Sequence, residues 1–413
     1  TVACTWDPAL GEELGAALGE EAVAQGVSVV LGPGLNIQRS PLCGRNFEYF
    51  SEDPILAGKL AAGYIRGIQS RGIAACPKHF AANSQETLRM VSDSVVDGRT
   101  FREIYLTNYE IAVKEGKPKF IMSSYNKING TYANEDKTLL SDILRDEWGF
   151  EGAVVTDWGG SNDHVEGVRA GSHLEMPGTA GDSDRQLAAA VKAGVISEEV
   201  VDQRVDELLD VILAVAPKEK ADGSFDKEGH HALAARVAEE AVVLLKNEEN
   251  ILPLAAGAKV AVIGDFAAIP RYQGAGSSLV NPTKLECALD VIGNMPLESV
   301  GYAQGFTRAD AADKALTEQA VALAKQADTV LLYMGLPEIS ETEGLDREHM
   351  RLPDNQVQLL KAVAAANPNV VVVLAAGSPV ETPWLEHCKA LVYTGLCGQA
   401  GASAALRVIT GQV

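Results

Sequence analysis

The chain has 413 residues, of which 46% are hydrophobic, and its formal net charge is -21. At roughly 100–200 residues per domain, this length predicts two or three domains, or one large barrel with a smaller domain. The negative charge repels phosphate groups and no run of Lys and Arg offsets it, so nucleic acid and anionic membranes are unfavourable partners. The longest apolar stretches, such as residues 370–376, are far below the roughly 18 residues of a membrane span.

The first half of the chain alternates between helical and strand patterns. Helical spacing of apolar and small residues occurs in four segments, at residues 8–25, 55–71, 101–115 and 139–147. Short apolar runs typical of buried strands occur at residues 27–31, 73–77, 119–123 and 152–156. This alternation predicts a mostly parallel sheet that helices cover on both faces, either a barrel or a doubly wound fold.

Polar residues stand directly after these strands. They include Asn36, Lys78 with His79, Tyr125 with Asn126, and Asp157 with Trp158. The carboxyl ends of the strands of a parallel barrel meet at one face, and (β/α)8 enzymes carry out catalysis there. We therefore expect these side chains to form a functional site.

The second half repeats the α/β pattern after a break. Helices are predicted at 184–215, and the charged stretch 217–229, with its Gly and Pro, is typical of an interdomain linker. Further strands are predicted at 259–263, 329–334, 370–375 and 390–394. This pattern predicts two α/β domains, each with a mostly parallel sheet. About four or five strands precede the linker, fewer than the eight of a closed barrel, and no strand follows Val413 to close the second sheet, so both ends look incomplete.

The six cysteines are scattered through the chain without a C-x-x-C pair. This spacing argues against both a zinc site and a disulfide framework. We expect free, mostly buried thiols that act as small hydrophobic residues.

The segment Gly152-Ala-Val-Val-Thr-Asp-Trp-Gly-Gly160 is the most informative for chemistry. Its strand of small and β-branched residues delivers the carboxylate of Asp157 to the end of the sheet, beside the aromatic Trp158 and two glycines that leave room for a ligand. The alternative interpretation is that Asp157 caps the following helix.

Other donors accompany this carboxylate, although each one alone has an ordinary structural interpretation. Lys78 and His79 follow their own strand, Tyr125 could donate a hydrogen bond to a neighbouring carboxylate, and Arg45 and Arg89 add guanidinium groups. The chain has no G-x-S-x-G, Walker A or H-E-x-x-H motif, and residues 274–278 lack the third glycine of a dinucleotide fingerprint. Fixed donors around a carboxylate are what glycoside hydrolysis requires.

Several motifs resemble glycoside hydrolase family 3, in the right order along the whole chain. They are Gly32-Pro-Gly-Leu-Asn-Ile-Gln-Arg39, Gly44-Arg-Asn-Phe-Glu-Tyr-Phe-Ser-Glu-Asp-Pro54, Lys78-His79-Phe80, Met122-Ser-Ser-Tyr-Asn-Lys-Ile-Asn-Gly130, Val155-Thr-Asp-Trp158, Glu343-Gly-Leu-Asp-Arg347 and Leu352-Pro353. The resemblance implies a (β/α)8-like, TIM-type barrel at 1–216, apparently incomplete at its N-terminus. A linker at 217–235 and an α/β sandwich with a mostly parallel sheet at 236–413 follow, with the active site at the junction of the domains.

The resemblance also implies roles for individual residues. Asp157 matches the family's nucleophile, and Glu343 matches the commonest placement of its acid/base glutamate, with Glu341 as the alternative. The residues that match sugar-binding positions are Arg45, Lys78, His79, Arg89, Tyr125, Trp158 and Ser277. Glu341 is also expected to contact the substrate. The acid must stay protonated near neutral pH through burial or nearby negative charge.

Two departures from the family pattern concern the substrate. The family's Asp-Gly segment, which contacts the 4- and 6-hydroxyl side of the sugar, would precede Thr1. Where many members have Asp-Leu before Met-Pro, this chain has His173-Leu-Glu-Met-Pro177.

The expected function is a retaining, exo-acting β-glucosidase that needs no metal or organic cofactor. Its substrate would be a β-linked oligosaccharide or an aryl or alkyl β-glucoside. A periplasmic or secreted location is favoured over a cytoplasmic one, and a homodimer is compatible with the sequence. The alternatives are a β-xylosidase and a non-catalytic carbohydrate-binding remnant. The N-acetylglucosaminidase branch is disfavoured because no His follows Asp93.

Overall fold

The computed structural model describes residues 1–215 and 223–413. The chain divides into two compact units. We call Trp6–Ser40 with Tyr49–Phe225 the barrel unit, and Thr1–Thr5, Pro41–Glu48 and Asp226–Val413 the sandwich unit. Residues 1–5 and 41–48 therefore pack with the second unit, although the sequence places them in the predicted barrel domain.

The predicted linker at 217–235 differs from the structure in its second part. Its first residues, up to 222, lie outside the described residues. A helix, Lys227–Ala241, begins inside the predicted linker, because Asp226 caps it by accepting a hydrogen bond from the Gly229 N–H at 2.9 Å.

The barrel unit contains short, mostly parallel strands. They are β1 (Val29–Val30), β2 (Ala74–Ala75), β3 (Asp93–Ser94), β4 (Phe120–Ser123), β5 (Lys127–Ile128), β6 (Thr131–Tyr132) and β7 (Ala153–Thr156). β1 pairs with β2 and β4 with β7, both in parallel, and single parallel bridges link Phe80 to Ser123 and Val155 to Leu174. This parallel alternation of strands and helices is that of a TIM-type barrel, as predicted. β1 and β2 are shorter than the apolar runs that predicted them.

Most barrel-unit helices lie close to their predicted positions, whereas the helix His164–Ala170 was not predicted. Their bounds are Pro8–Ala24, Pro54–Gln69, Gly98–Thr100, Phe101–Leu106, Thr107–Ile111, Ala112–Gly116, Thr138–Glu147, His164–Ala170, Asp182–Lys192 and Glu198–Val215. The first two begin with Asp-Pro, in which the Asp7 or Asp53 carboxylate accepts the free N–H groups of the first turn. Proline suits the first helical position because it has no N–H to leave unpaired.

An aromatic cluster packs beneath the loop that carries Lys78 and His79. The Phe80 ring, which is fully buried, meets the Tyr109 ring edge-on at 5.1 Å between centroids and the Trp148 ring at 5.8 Å. Such edge-to-face contacts stabilise the ring positions. The residue that follows His79 is therefore anchored in the core.

The sandwich unit contains a six-stranded sheet. Its strands are β8 (Val243–Asn247), β9 (Ala258–Ile263), β10 (Leu297–Ala303), β11 (Thr329–Gly335), β12 (Val370–Ala375) and β13 (Ala390–Tyr393). The spatial order is β10-β9-β11-β12-β13-β8, and all pairs are parallel except β13 with β8. β8, which the sequence analysis did not predict, occupies the edge of the sheet beside β13.

Helices cover both faces of this sheet. Their bounds are Lys227–Ala241, Ala288–Val291, Lys314–Ala324, Asp354–Ala366 and Gly401–Ile409. Every residue of β11 is buried, as expected for a central parallel strand under two helical layers. The loops that carry Ser277, Glu341 and Glu343 follow β9 and β11.

All six cysteines are free, as predicted, and Cys43, Cys76 and Cys388 are buried. Over residues 1–215 and 223–413, no helix combines the length and the apolar character needed to cross a bilayer.

Candidate active site

The barrel unit brings Asp157 and His79 together at the ends of their strands. The His79 Nε2 lies 3.4 Å from the Asp157 Oδ2, and the two residues are 1% and 8% exposed. The second carboxylate oxygen, Oδ1, accepts the Trp158 N–H at 2.8 Å. Asp157 does not cap the following helix, because Asp163 does so by accepting the Glu166 N–H. The capping alternative is therefore wrong.

Lys78, which directly precedes His79 in the chain, is half-buried. Burial raises the pKa of the Cys76 thiol well above its ordinary value, while the Lys78 charge opposes this shift and the Asp157 charge adds to it. Both charges therefore act on the Cys76 thiol.

Tyr125, Arg89 and Trp158 surround the Asp157 loop. The Tyr125 hydroxyl donates to the Trp158 carbonyl at 2.9 Å rather than to a carboxylate, so that expectation is corrected: the ring lies against the turn after Asp157. The Arg89 guanidinium is 4.8 Å from the Tyr125 ring centroid and donates to the Glu86 carboxylate at 2.9 Å. Trp158 is 43% exposed and offers an aromatic surface.

A second cluster forms within the sandwich unit around Glu343. Arg45, which is 1% exposed, donates two hydrogen bonds to Glu48, at 2.8 and 2.9 Å, and its Nη1 lies 3.6 Å from the Glu343 Oε1. The Glu343 Oε2 accepts the Ser277 N–H at 2.8 Å. The Ser277 main chain thus contacts Glu343, and the role of Ser277 in sugar binding stays a prediction.

Two glycines allow the Glu343 loop to pack closely. Gly276 has φ of +117°, and a methyl group there would overlap the Glu343 side chain. A methyl group on Gly44 would overlap the carbonyl oxygens of Thr342 and Leu345. The Gly44 N–H also donates to the Asp346 carboxylate at 3.1 Å. Residues 41–48 and 274–277 therefore both hold the loop in place.

Glu341 has a different environment. It is 0% exposed, its Oε1 accepts the Gly377 N–H at 2.6 Å, and its Oε2 lies 3.1 Å from the Arg271 Nη2. Burial raises the pKa of the Glu341 carboxyl, and the Arg271 charge opposes the shift. The predicted contact of Glu341 with substrate does not fit a carboxylate without exposed surface, so we describe it as an anchor of the loop.

The unusual segment His173–Pro177 is held by a buried imidazole. The His173 Nδ1 accepts the Val154 N–H at 3.0 Å, and its Nε2 lies 2.7 Å from the Glu207 carboxylate. Burial lowers the pKa of His173. His173 therefore connects β7 to the helix Glu198–Val215.

Sequence reasoning overlooked several residues that support these clusters. Glu48 and Tyr49 lie inside the quoted motif Gly44–Pro54, so that motif carried a signal for them. Nothing near Arg271 in the sequence indicated its pairing with Glu341. In the part of the chain that the structure describes, no group of three or more His, Cys, Asp or Glu residues could hold a metal ion.

A TIM-type unit collects functional groups at the carboxyl ends of its strands, and a carboxylate among donors there suits glycoside hydrolysis. The Glycosyl hydrolase family 3 N terminal domain matches residues 1–211, and the Glycosyl hydrolase family 3 C-terminal domain matches residues 242–413. The chain belongs to glycosyl hydrolase family 3.

Two relatives with different names are about equally similar to the chain. Thermostable beta-glucosidase B of Acetivibrio thermocellus is 47% identical over 415 residues, covering 100% of this chain and 55% of the relative. Exo-alpha-(1->6)-L-arabinopyranosidase of Bifidobacterium longum is 44% identical over 421 residues, covering 99% and 55%. The chain thus spans about half the length of these curated relatives.

Solved structures show the same similarity. The GH3 beta-glucosidase of Bifidobacterium adolescentis has a TM-score of 0.96 at 45% identity, and the match covers 100% of this chain and 61% of that one. Beta-glucosidase 3B from Thermotoga neapolitana, in complex with glucose, has a TM-score of 0.92 at 35% identity, covering 100% and 62%.

Proposed function

We propose that the protein is a retaining, exo-acting β-glucosidase in which Asp157 is the nucleophile. The observation that carries the proposal is the buried Asp157 carboxylate, which follows β7 and lies 3.4 Å from the His79 imidazole. A nucleophilic carboxylate must be ionised and oriented, and a protonated ring nitrogen that faces it favours its charged form. The names of the beta-glucosidase relatives support the choice of reaction.

The proposed reaction has two displacements. First, an Asp157 oxygen attacks the anomeric carbon, the bond to the leaving oxygen breaks, and Glu343 gives its proton to that oxygen. Glu343, now ionised, then takes a proton from water, the water oxygen attacks the anomeric carbon, and the bond to Asp157 breaks. Each step conserves charge and protons without a cofactor, and the sugar keeps its anomeric configuration.

Glu343 is preferred to Glu341 as the acid/base because a proton donor must reach the leaving group. The Glu343 side chain is 17% exposed, whereas the Glu341 side chain is 0% exposed. The raised pKa of Glu341 suits an acid in itself. Geometry outweighs this, since both oxygens of Glu341 bond to groups of the protein interior.

The preferred substrate is proposed to be a β-linked oligosaccharide or an aryl or alkyl β-glucoside. One specific observation favours a second candidate, an arabinopyranosidase, because a relative with that name is 44% identical over 99% of this chain. Purified full-length protein should be assayed with 4-nitrophenyl β-glucoside, β-xyloside and α-L-arabinopyranoside. The highest kcat/KM on the β-glucoside is expected, and a higher value on another sugar would reassign the substrate. Activity on none would favour the carbohydrate-binding remnant.

The decisive variant is Asp157→Ala, which should lower kcat by several orders of magnitude with unchanged circular dichroism. Asp163→Ala is the matched control, because it removes a nearby carboxylate that only caps a helix. Its cost should be about 1 kcal/mol of stability with turnover retained. Near-normal turnover in Asp157→Ala would exclude the assignment.

The acid is tested with Glu343→Ala. Turnover of substrates with poor leaving groups should fall far more than turnover of aryl glycosides, and azide should partly restore the latter, because a small anion can attack the glycosyl-enzyme without a general base. If Glu341→Ala shows this behaviour instead, the two roles are exchanged. A periplasmic or secreted location and a homodimer are part of the same proposal, and cell fractionation and light scattering test them.

A further inference from the structure

Both ring nitrogens of His79 have a polar neighbour inside the barrel unit. The Nε2 lies 3.4 Å from the Asp157 Oδ2, and the Nδ1 lies 3.3 Å from the Tyr49 hydroxyl oxygen. The two rings meet edge-on, with centroids 6.3 Å apart and an interplanar angle of 81°. His79 and Tyr49 are 1% and 3% exposed, so these contacts are shielded from bulk water.

The main chain of His79 is held independently of its ring. The Asn36 Oδ1 accepts the His79 N–H at 2.8 Å, and the Asn36 Nδ2 donates to the His79 carbonyl at 2.9 Å. The Tyr109 hydroxyl donates to the same carbonyl at 2.9 Å. Because three hydrogen bonds fix the main chain, the location of the ring proton is the principal variable that remains.

A neutral imidazole carries one donor and one acceptor nitrogen, and the bond made by one nitrogen determines the role of the other. An ionised carboxylate only accepts hydrogen bonds, so a useful contact with Asp157 requires the proton on Nε2. Nδ1 must then accept a hydrogen bond. The Tyr49 hydroxyl can donate one, whereas the Asn36 Oδ1, at 3.4 Å from Nδ1, can only accept and already receives the shorter bond from the main chain.

We propose that Tyr49 is a positioning residue that selects the Nε2–H tautomer of His79 by donating its hydroxyl proton to Nδ1. The protonated Nε2 then lies 3.4 Å from the Asp157 Oδ2 and attracts its negative charge, while the Trp158 N–H donates to the other oxygen. Tyr49 thus acts on the nucleophile through His79 without contacting it. This role deepens the proposed function and rests on it for its catalytic consequence.

The loss of this hydroxyl has a defined effect. In Tyr49→Phe the donor to Nδ1 is absent, which favours the tautomer with Nδ1–H directed towards the Asn36 Oδ1. Nε2 then presents a lone pair to the Asp157 carboxylate, which is unfavourable. We expect kcat for the step that forms the glycosyl-enzyme to fall about tenfold, the size of one net hydrogen bond, while KM changes little.

The test combines ¹⁵N NMR of histidine side chains with kinetics on the full-length protein. The chain has 7 histidines, and the His79→Gln spectrum assigns the His79 signals. Wild type should show a protonated Nε2 and an unprotonated Nδ1. Tyr49→Phe should alter this pattern and lower kcat. Tyr109→Phe is the matched control, because it removes a hydroxyl that bonds the same residue at its carbonyl, and its tautomer should be that of wild type.

A wild-type His79 with the proton on Nδ1 would overturn the proposal, and this measurement does not depend on whether any variant folds. An unchanged tautomer in Tyr49→Phe would also overturn it, as would an equal change in Tyr109→Phe. If the proposed function fails because no glycoside is hydrolysed, the NMR result still decides the tautomer. The two failures are therefore distinguishable.

Discussion

Glu341→Ala should destabilise the sandwich unit strongly. The carboxylate is 0% exposed, and its removal leaves the 5% exposed Arg271 without its buried countercharge and the Gly377 N–H without its acceptor. Breaking a buried ion pair by deleting one partner costs about 3–5 kcal/mol of unfolding free energy. At about 2–4 °C per kcal/mol for a unit of this size, the midpoint of thermal unfolding should fall by about 6–20 °C.

The neighbouring Glu338 provides a matched control. Its side chain is 44% exposed and its Oε1 lies 3.7 Å from the Arg271 Nη1, so Glu338→Ala removes a charge from the same loop and near the same guanidinium. Exposed ion pairs contribute about 0–1 kcal/mol. Urea unfolding of both variants, followed by circular dichroism, measures the difference. If Glu341→Ala loses no more stability than Glu338→Ala, Glu341 is not an anchor and its role as the acid must be reconsidered.

Two further predictions concern the Glu343 loop and the barrel unit. Ser277→Pro removes the N–H that donates to the Glu343 Oε2, whereas Ser277→Ala keeps it. The kcat for substrates with poor leaving groups should therefore fall more in Ser277→Pro than in Ser277→Ala. Equal losses would contradict a role of the Ser277 N–H in positioning Glu343. Burial lowers the pKa of His173. Burial on its own raises the pKa of Glu207, but the hydrogen bond from His173 and the charges of Arg145 and Arg204 outweigh it, so the Glu207 pKa is lowered as well. Groups with lowered folded-state pKa values stabilise above their ordinary values and lose this contribution as the pH falls. The unfolding free energy should therefore decrease as the pH falls below about 6.5, because of His173, and decrease further below about 4.5, because of Glu207. In Glu207→Gln the pH dependence of the unfolding free energy below about 4.5 should be weaker. Urea titrations at several pH values measure both effects.

The parallel strands were predictable because their environment is simple. β4, β11 and β12 are covered on both faces and appear as apolar runs, so burial alone indicates them. β8 and β10 were missed because they lie at the two edges of their sheet, where residues such as Leu244 and Tyr302 are exposed and the apolar pattern is mixed. Edge strands depend on pairing with a neighbour, which their own sequence does not encode.

The candidate site was predictable where strand ends determine it. Lys78, His79 and Asp157 each follow a strand, and parallel strands collect their carboxyl ends at one face. The sandwich-unit contacts differ, because Arg45 and Glu343, or Arg271 and Glu341, meet only after the chain has folded. No local pattern connects such residues, and the assignment of residues 41–48 to the sandwich unit has the same cause.

The carboxylates of Glu343 and Glu341 lie on one loop but have different environments, which suit different roles. Glu341 is locked by an ion pair and a main-chain donor, an arrangement that fixes position but suits no proton exchange with a substrate. Glu343 accepts the Ser277 N–H and packs closely against Gly276, and its Oε1 lies 3.6 Å from the Arg45 Nη1. The nearby Arg45 makes its two short bonds to Glu48, so much of its charge is compensated there. A group that must both release and accept a proton needs a fixed position without a fixed charge, and packing against glycines provides the first without imposing the second.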